Sequence, residues 1–91
     1  IQSVGYILYH LGYDPDEMKG PVIYIIDLYV TEVKRHIGIG KMLIDMVRTE
    51  CKNIDGICTF IYCWNKNKKA IKFYDHLGCE RINDLILYST K

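Results

Sequence analysis

The nine residues from 22 to 30 constrain this chain most, because they form an almost unbroken apolar run, Val-Ile-Tyr-Ile-Ile-Asp-Leu-Tyr-Val. So little alternation is typical of a strand that is buried on both faces and central in its sheet. Residues 57–64 form a second run of this kind. A helical period lies between the two runs, so we expect a right-handed βαβ unit with parallel strands.

Two segments have the spacing of amphipathic helices. In the first, residues 39–53, the apolar stripe consists of Ile39, Leu43, Met46 and Val47, with Met42 beside it. In the second, the stripe consists of Ala70, Phe73, Tyr74 and Leu77. Gly78 follows directly and is suited to end that helix, because glycine readily adopts the left-handed conformation of a helix terminus.

Three further strands complete the predicted order β-β-α-β-α-β-β. The first covers residues 4–9 and continues with looser spacing to residue 13. Two short ones lie near residues 79–82 and 85–88, around an Asn83-Asp84 turn. We expect one α/β (α+β) domain over residues 1–91, with a mixed sheet. The chain opens on Ile1 and enters a strand almost at once, so we expect a fragment or a processed chain.

Composition excludes several classes of function. Twelve Lys and Arg residues against eleven Asp and Glu leave a net charge of +1, which is too small for a nucleic-acid binder. No apolar run approaches the roughly 20 residues that span a bilayer. The four cysteines form no C-x-x-C pair, so no metal site is predicted. Free thiols suit a reducing compartment, and we expect the cytoplasm.

The turn after the central run is the strongest candidate for a binding site. Gly38 and Gly40 lie where a short loop enters the first helix, and Arg35 and Lys41 flank them. Glycine lets the backbone approach a phosphate closely, and a helix N-terminus offers unpaired N–H groups. The G-x-G-x-x-G and G-x-x-x-x-G-K-[ST] fingerprints are both absent. By spacing alone, two interpretations are equally good: the glycines form a ligand site, or they only allow the chain to turn into the helix.

Two motifs resemble a known family. The pattern Arg35-x-x-Gly38-x-Gly40 is similar to the R/Q-x-x-G-x-G/A motif of the GNAT N-acetyltransferases, which holds the acetyl-CoA pyrophosphate in that family. The segment from Asn67 through Ala70 and Phe73-Tyr74 to Gly78 is similar to the family's N-x-x-A-x-x-F-Y…G-F segment. The resemblance implies a GNAT-type mixed sheet that lacks the family's first strand and first helices.

Within that family, the chain most resembles the spermidine/spermine (diamine) acetyltransferases. The resemblance rests on Val4-Gly5-Tyr6, Tyr13-Asp14-Pro15, residues 24–30 and Gly38-Ile39-Gly40. It implies a small primary amine as acceptor, acetyl-CoA as cofactor and a homodimer, with neither nucleic acid nor membrane as partner.

The resemblance also assigns residues to the cofactor. The backbone of Leu28, Tyr29 and Val30 would pair with the pantetheine arm, on a strand that splays from its neighbour. The turn would cap the pyrophosphate through Arg35, His36, Ile37, Gly38, Ile39, Gly40 and Lys41. His36 stands where relatives most often have glycine, and a surface position suits it better than a catalytic one. Asn67 serves as a helix cap, as a contact to the cofactor arm, or as both, with Ala70 beside it. Lys66, Lys68 and Lys69 lie near an outer phosphate or on a solvated face.

Catalysis would depend on Tyr74, which the family uses as general acid toward the CoA thiolate. The alternative is that Tyr74 only belongs to the apolar stripe of its helix. Diamine acetyltransferases carry a Glu-Asp pair in the second strand, and this chain has Ile26-Asp27. In those enzymes the Glu is the base that collects the proton of the amine. Asp27 is at a strand bulge, bonded to backbone, or in a site, where it would bind the cationic amine or take over the role of the base. By alternation its side chain should face away from that of Ile26.

Two functions therefore stand side by side. The first is an N-acetyltransferase that transfers acetyl directly to a primary amine in a ternary complex. The second is a non-catalytic remnant of that family, which holds CoA as a regulatory or interaction module. A purely structural domain is the weakest alternative.

Overall fold

The computed structural model describes residues 4–15, 19–31 and 37–90. The elements are β1 (Gly5–Asp14), β2 (Gly20–Val30), α1 (Ile39–Asn53), β3 (Cys58–Ile61) and α2 (Lys68–His76). The strand order is β1-β2-β3, with β1 antiparallel and β3 parallel to β2. The predicted class, a mixed sheet with helices, is confirmed, as are the central position of the apolar run and its parallel pairing across α1.

The core lies between β2 and α1. Ile23 and Ile25 are fully buried, and Ile44, Val47 and Cys51 of α1 cover them. Side chains of all the other elements complete this cluster from its margins, with partly buried positions at Ile7, Leu28, Ile54, Ile61, Phe73, Tyr74 and Leu77. Both helices therefore pack on the same apolar centre, and the start of α1 and the body of α2 come together.

The buried stripe of α1 differs from the predicted one. Ile44, Val47 and Cys51 are buried, whereas Met42 and Met46 are about half exposed. Apolar residues at both 43–44 and 46–47 define two overlapping stripes, about one residue apart around the helix axis. The sequence period cannot choose between these stripes. Contact with the sheet and with α2 fixes the rotation, and Val47 alone among the predicted positions is fully inside.

The second half of β2 also departs from the prediction. Val22, Ile23 and Ile25 are fully buried, but Ile26, Asp27 and Tyr29 are exposed. Leu8 pairs with Asp27 while its neighbour Tyr9 pairs with Ile25, so Ile26 is an extra residue in β2. Such a bulge bends a strand and disturbs its alternation. The strand is buried on both faces only up to the bulge.

Helix α2 ends in the manner that the sequence predicts. Gly78 has φ +84°, and its N–H donates to the carbonyl of Asp75 at 3.0 Å. The N–H of Cys79 donates to the carbonyl of Tyr74 at 3.1 Å. These two bonds form a Schellman motif, which satisfies two carbonyls that the last turn would otherwise leave open.

The two C-terminal strands are the part of the predicted order that is wrong. Between residues 79 and 90 the structure has no strand, and β3 ends at Ile61, short of the predicted residue 64. Leu85, Ile86, Leu87 and Tyr88 are each at least 74% exposed. Apolar and aromatic residues favour a strand only where a neighbouring strand pairs with them, and here none does so.

The position of the core gives a direct test of stability. We expect Ile23→Ala to lower the free energy of unfolding by about 2–5 kcal/mol, because it leaves a cavity in a fully buried site. Ile82→Ala is the matched control, since that side chain is 51% exposed, and its effect should stay within about 0.5 kcal/mol. Urea denaturation measures both. Equal losses in the two variants would contradict the position of the core.

Candidate functional site

The turn before α1 has the backbone geometry of an anion site. Gly38 is the N-cap residue, with φ +86°, and no side chain caps the helix. The first turn of α1 contains no acidic residue, and its first bond inside the helix runs from the N–H of Met42 to the carbonyl of Gly38. The N–H groups of Ile39, Gly40 and Lys41 precede that bond, so the helix itself provides no acceptor for them. As far as the described residues go, they suit a bound anion.

Glycine is favoured at the two positions of this turn for different reasons. A Cβ on Gly38 would touch nothing within 4 Å, so the positive φ alone favours glycine there. A Cβ on Gly40 would lie 3.0 Å from Cζ of Phe73, so the ring requires a very small residue beneath it. Gly38 shapes the turn, whereas Gly40 lets α2 approach the start of α1.

The pairing between strands β2 and β3 ends before β2 does. Their ladder joins residues 22–25 to residues 58–61, and the last bond runs from the N–H of Tyr62 to the carbonyl of Ile25. Beyond it β2 continues to Val30, paired on its other side with β1. Leu28, Tyr29 and Val30 thus lie where the β3 ladder has ended. The end of this ladder is compatible with the expected splay, which stays a prediction.

Tyr74 lies near the end of this ladder and is half-buried against the core. Burial is the main reason that the pKa of Tyr74 is raised to about 12, and the charges of Cys63, Cys79 and Asp27 add smaller contributions. Its ring lies 5.5 Å from that of Phe73. Tyr74 therefore belongs to the apolar stripe, and its hydroxyl keeps its proton at neutral pH.

Asn67 caps α2, as one of the two sequence-based alternatives predicts. Its Oδ1 accepts a hydrogen bond from the N–H of Ala70 at 3.2 Å, which satisfies one donor of the first turn. The lysines around it are exposed, and Nζ of Lys68 donates to the carbonyl of Asn65 at 2.9 Å.

Lys41 contributes less charge to the turn than its sequence position predicts. Its Nζ lies 2.7 Å from Oδ2 of Asp45, and this contact lowers the pKa of the Asp45 carboxyl. A shallow depression of about 370 Å³ begins here and continues along the exposed side of α1. Met42, Met46 and Thr49 form much of its wall, a lining that does not suit a polyanion. The candidate anion site is therefore the row of amides.

Asp27 is exposed on the strand that carries the bulge. Its Oδ2 accepts a hydrogen bond from the hydroxyl of Tyr6 at 2.7 Å. Of the three sequence-based alternatives for this carboxylate, the position at a bulge is confirmed. Sequence reasoning missed Tyr6, because the contact spans 21 residues and depends on the strand register.

Three further residues of the turn are predicted to bind the cofactor, and the structure describes one of them. Arg35 and His36 lie outside the described residues. Ile37 is described and is 64% exposed at the end of the loop.

Neither a metal site nor a membrane span is found in the parts of the chain that the structure describes. Within residues 4–15, 19–31 and 37–90, no three His, Cys, Asp or Glu side chains are grouped so as to hold a metal ion. Over the same residues, neither helix has the length and apolar character needed to cross a bilayer.

The match to a family model agrees with this geometry. Residues 2–79 match the model of the acetyltransferase (GNAT) family. This match covers most of the chain, so the chain belongs to that family.

Solved structures share the fold at low sequence identity. An integron cassette protein from the mobile metagenome of V. cholerae has a TM-score of 0.86 and 23% identity, over 97% of this chain and 54% of that one. The aminoglycoside N-acetyltransferase AAC(6')-Iy in complex with CoA has a TM-score of 0.84 and 21% identity, over 97% and 59%. A ribosomal-protein-alanine N-acetyltransferase from Brucella melitensis biovar Abortus 2308 has a TM-score of 0.80 and 18% identity, over 97% and 62%. The chain thus spans little more than half the length of these structures.

The raised pKa of Tyr74 predicts a dependence of stability on alkaline pH. The folded state holds the neutral phenol more strongly than the unfolded state, where the pKa is about 10. This stabilisation is complete below pH 10 and is lost as the pH rises toward 12. Tyr74→Phe should remove that component, so its unfolding free energy should fall less than that of the parent over this interval. Parallel curves for the two proteins in urea denaturation would contradict the burial of this hydroxyl.

Proposed function

We propose that this chain is an N-acetyltransferase, which transfers the acetyl group of acetyl-CoA directly to a primary amine. One observation carries the proposal: the start of α1, where no side chain caps the helix, is at the same end of the βαβ unit as the end of the β2–β3 ladder. A helix N-terminus without acidic residues favours phosphate groups. The separated strands leave room beside Leu28, Tyr29 and Val30 for the extended arm of the cofactor. Membership of the GNAT family supports this interpretation.

The residues of the turn fit the pyrophosphate of acetyl-CoA. The amides from Ile37 to Lys41 bind its oxygens, and the left-handed Gly38 directs the chain so that successive N–H groups converge. Arg35 and His36 belong to the same assignment by sequence. Asn67 and Ala70, at the start of α2, line the cofactor arm from the other side. Acetyl-CoA supplies an acetyl thioester that an amine attacks without a covalent enzyme intermediate and without a metal.

Tyr74 assists the departure of the thiolate. A pKa of about 12 lies above the roughly 8.5 of an ordinary thiol, so the hydroxyl donates a hydrogen bond more readily than it releases its proton. Such a donor stabilises negative charge on sulfur as the carbon–sulfur bond breaks. The proton lost by the amine goes to Asp27 or to water, because residue 26 is Ile and has no base. Backbone N–H groups near Tyr29 and Val30 polarise the acetyl carbonyl.

The acceptor is proposed from the resemblance to the diamine acetyltransferases. The solved relatives carry other names, an aminoglycoside N-acetyltransferase and a ribosomal-protein-alanine N-acetyltransferase. A linear diamine is therefore the first acceptor to test, followed by amino sugars and peptides that begin with alanine.

An acetylation assay with this panel tests the proposal. We expect one class of amine to be acetylated, and Tyr74→Phe to lower kcat about 10²- to 10³-fold while the Kd for CoA stays constant. Tyr13→Phe is the matched control, since Tyr13 is an exposed tyrosine on β1, away from the separated strands. If the two variants turn over alike, Tyr74 has no role in the chemistry. If the parent acetylates no amine, the enzymatic proposal is wrong.

A second candidate is a module that holds CoA without turnover. One observation favours it: residue 26 lacks the carboxylate of the diamine enzymes. Calorimetry separates the candidates. CoA binding without acetyl transfer would support the module, whereas absence of CoA binding would exclude both functions.

We also propose a homodimer in the cytoplasm. Exposed apolar side chains on β1, among them Leu8 and Leu11, support a partner surface. The four cysteines are free thiols, which suits a reducing compartment. A monomeric mass in light scattering at micromolar concentration would contradict the dimer.

A further inference from the structure

The bulge at Ile26 determines where the carboxylate of Asp27 lies. In an unbroken strand, residues 23, 25 and 27 would share one face, and the first two of these are fully buried beneath α1. A carboxylate at the third position would approach the apolar core, at a large cost in desolvation. The extra residue interrupts this alternation, and Asp27 is exposed opposite Leu8. The bulge therefore keeps the carboxylate outside the core.

Tyr6 holds this carboxylate in one orientation. Its hydroxyl donates to Oδ2 of Asp27 at 2.7 Å, and its ring lies 5.8 Å from the ring of Tyr29, its partner in the strand register. The hydrogen bond to Asp27 is also the largest cause of the raised pKa of Tyr6. The contact is thus a defined pair of groups on an exposed part of the sheet.

This pair has the chemistry of a site for an ammonium group. A carboxylate accepts hydrogen bonds at both oxygens, and the hydroxyl of Tyr6 occupies only Oδ2. Among the residues that the structure describes, no second side chain donates to this carboxylate, so Oδ1 is left to accept from a cation.

We propose that Tyr6 is a positioning residue, which fixes the carboxylate of Asp27 so that it receives an ammonium group of the acceptor amine at the exposed surface of the sheet. The inference rests on the proposed function, because it assigns the acceptor side of the same site. An exposed aspartate rotates freely, and orientation by the phenol removes part of the ordering cost that the amine would otherwise meet. No covalent step passes through Tyr6.

The test compares Tyr6→Phe with Tyr13→Phe in the acetylation assay. Tyr6→Phe keeps the ring and removes only the hydroxyl, so we expect the KM for the amine to rise about tenfold, as for the loss of one charge-assisted hydrogen bond. The KM for acetyl-CoA and the melting temperature should stay at the parent values. Tyr13→Phe removes a hydroxyl from the same strand and should change neither KM.

A double-mutant cycle separates positioning from a merely structural role. In an Asp27→Asn background, Tyr6→Phe should cause little further increase in the amine KM, because the carboxylate that it orients is gone. Additive effects of the two substitutions would overturn the proposal, as would equal amine KM values for Tyr6→Phe and the parent. Either result leaves acetyl transfer by the parent intact, so it does not contradict the proposed function.

A binding experiment tests the proposed amine subsite even if the chain does not acetylate any amine. The probe is 1,4-diaminobutane, titrated into the parent and the variants while the ring resonances of Tyr29, and of Tyr6 where it is present, are followed by NMR. We expect these resonances to shift in the parent, with binding about tenfold weaker in Tyr6→Phe and lost in Asp27→Asn. Binding that does not depend on Asp27, or no shift at millimolar diamine, would overturn the subsite.

Discussion

The point where β3 leaves β2 is the constraint on which the rest of the site depends. The parallel ladder ends at Ile25, one residue before the bulge at Ile26. Up to that point β2 is a buried central strand, which anchors α1 through Ile23 and Ile25. Beyond it the same strand pairs with β1 and carries the exposed carboxylate of Asp27. One irregularity thus separates the buried half of the strand from its more exposed half.

The two helices bring complementary properties to the candidate site. Helix α1 presents uncapped amides, because its N-cap is a left-handed glycine without a side chain. Helix α2 is capped by the side chain of Asn67 and ends in a Schellman motif, so each of its ends has hydrogen-bond partners within the chain. The electrostatic attraction for an anion is therefore concentrated at one helix terminus. The second helix supplies a half-buried phenol and the ring that packs against the first.

Much of this architecture could be predicted from the sequence. The unbroken run at residues 22–30 predicts the central strand, the period of residues 39–53 predicts α1, and Gly78 predicts the end of α2. These signals are local, because they depend on burial along one element and on backbone conformation. The rotation of α1 could not be predicted, since overlapping apolar stripes fit its sequence equally well. The C-terminal strands could not be judged either, because a strand exists only where another strand pairs with it.

Some residues of the candidate site could also be predicted from the sequence, and others could not. Gly38, Gly40 and Asn67 follow from motifs, and the structure gives each a definite geometry. The bond between Tyr6 and Asp27 has no sequence signal, because it depends on a register shift between two strands. The functional roles of these residues stay predictions.

The contact between Gly40 and Phe73 bears on how such motifs should be interpreted in other chains. A Cβ at position 40 would lie 3.0 Å from the ring of Phe73, which is a tight contact whether or not a nucleotide ever occupied the turn. In a chain that had lost all affinity for CoA, the packing of α2 would still favour a glycine here. Its presence therefore indicates that α1 and α2 pack closely together, and it is not by itself evidence of ligand binding. Gly38 is the better indicator of a ligand site, because its backbone conformation favours glycine there and no side-chain contact does.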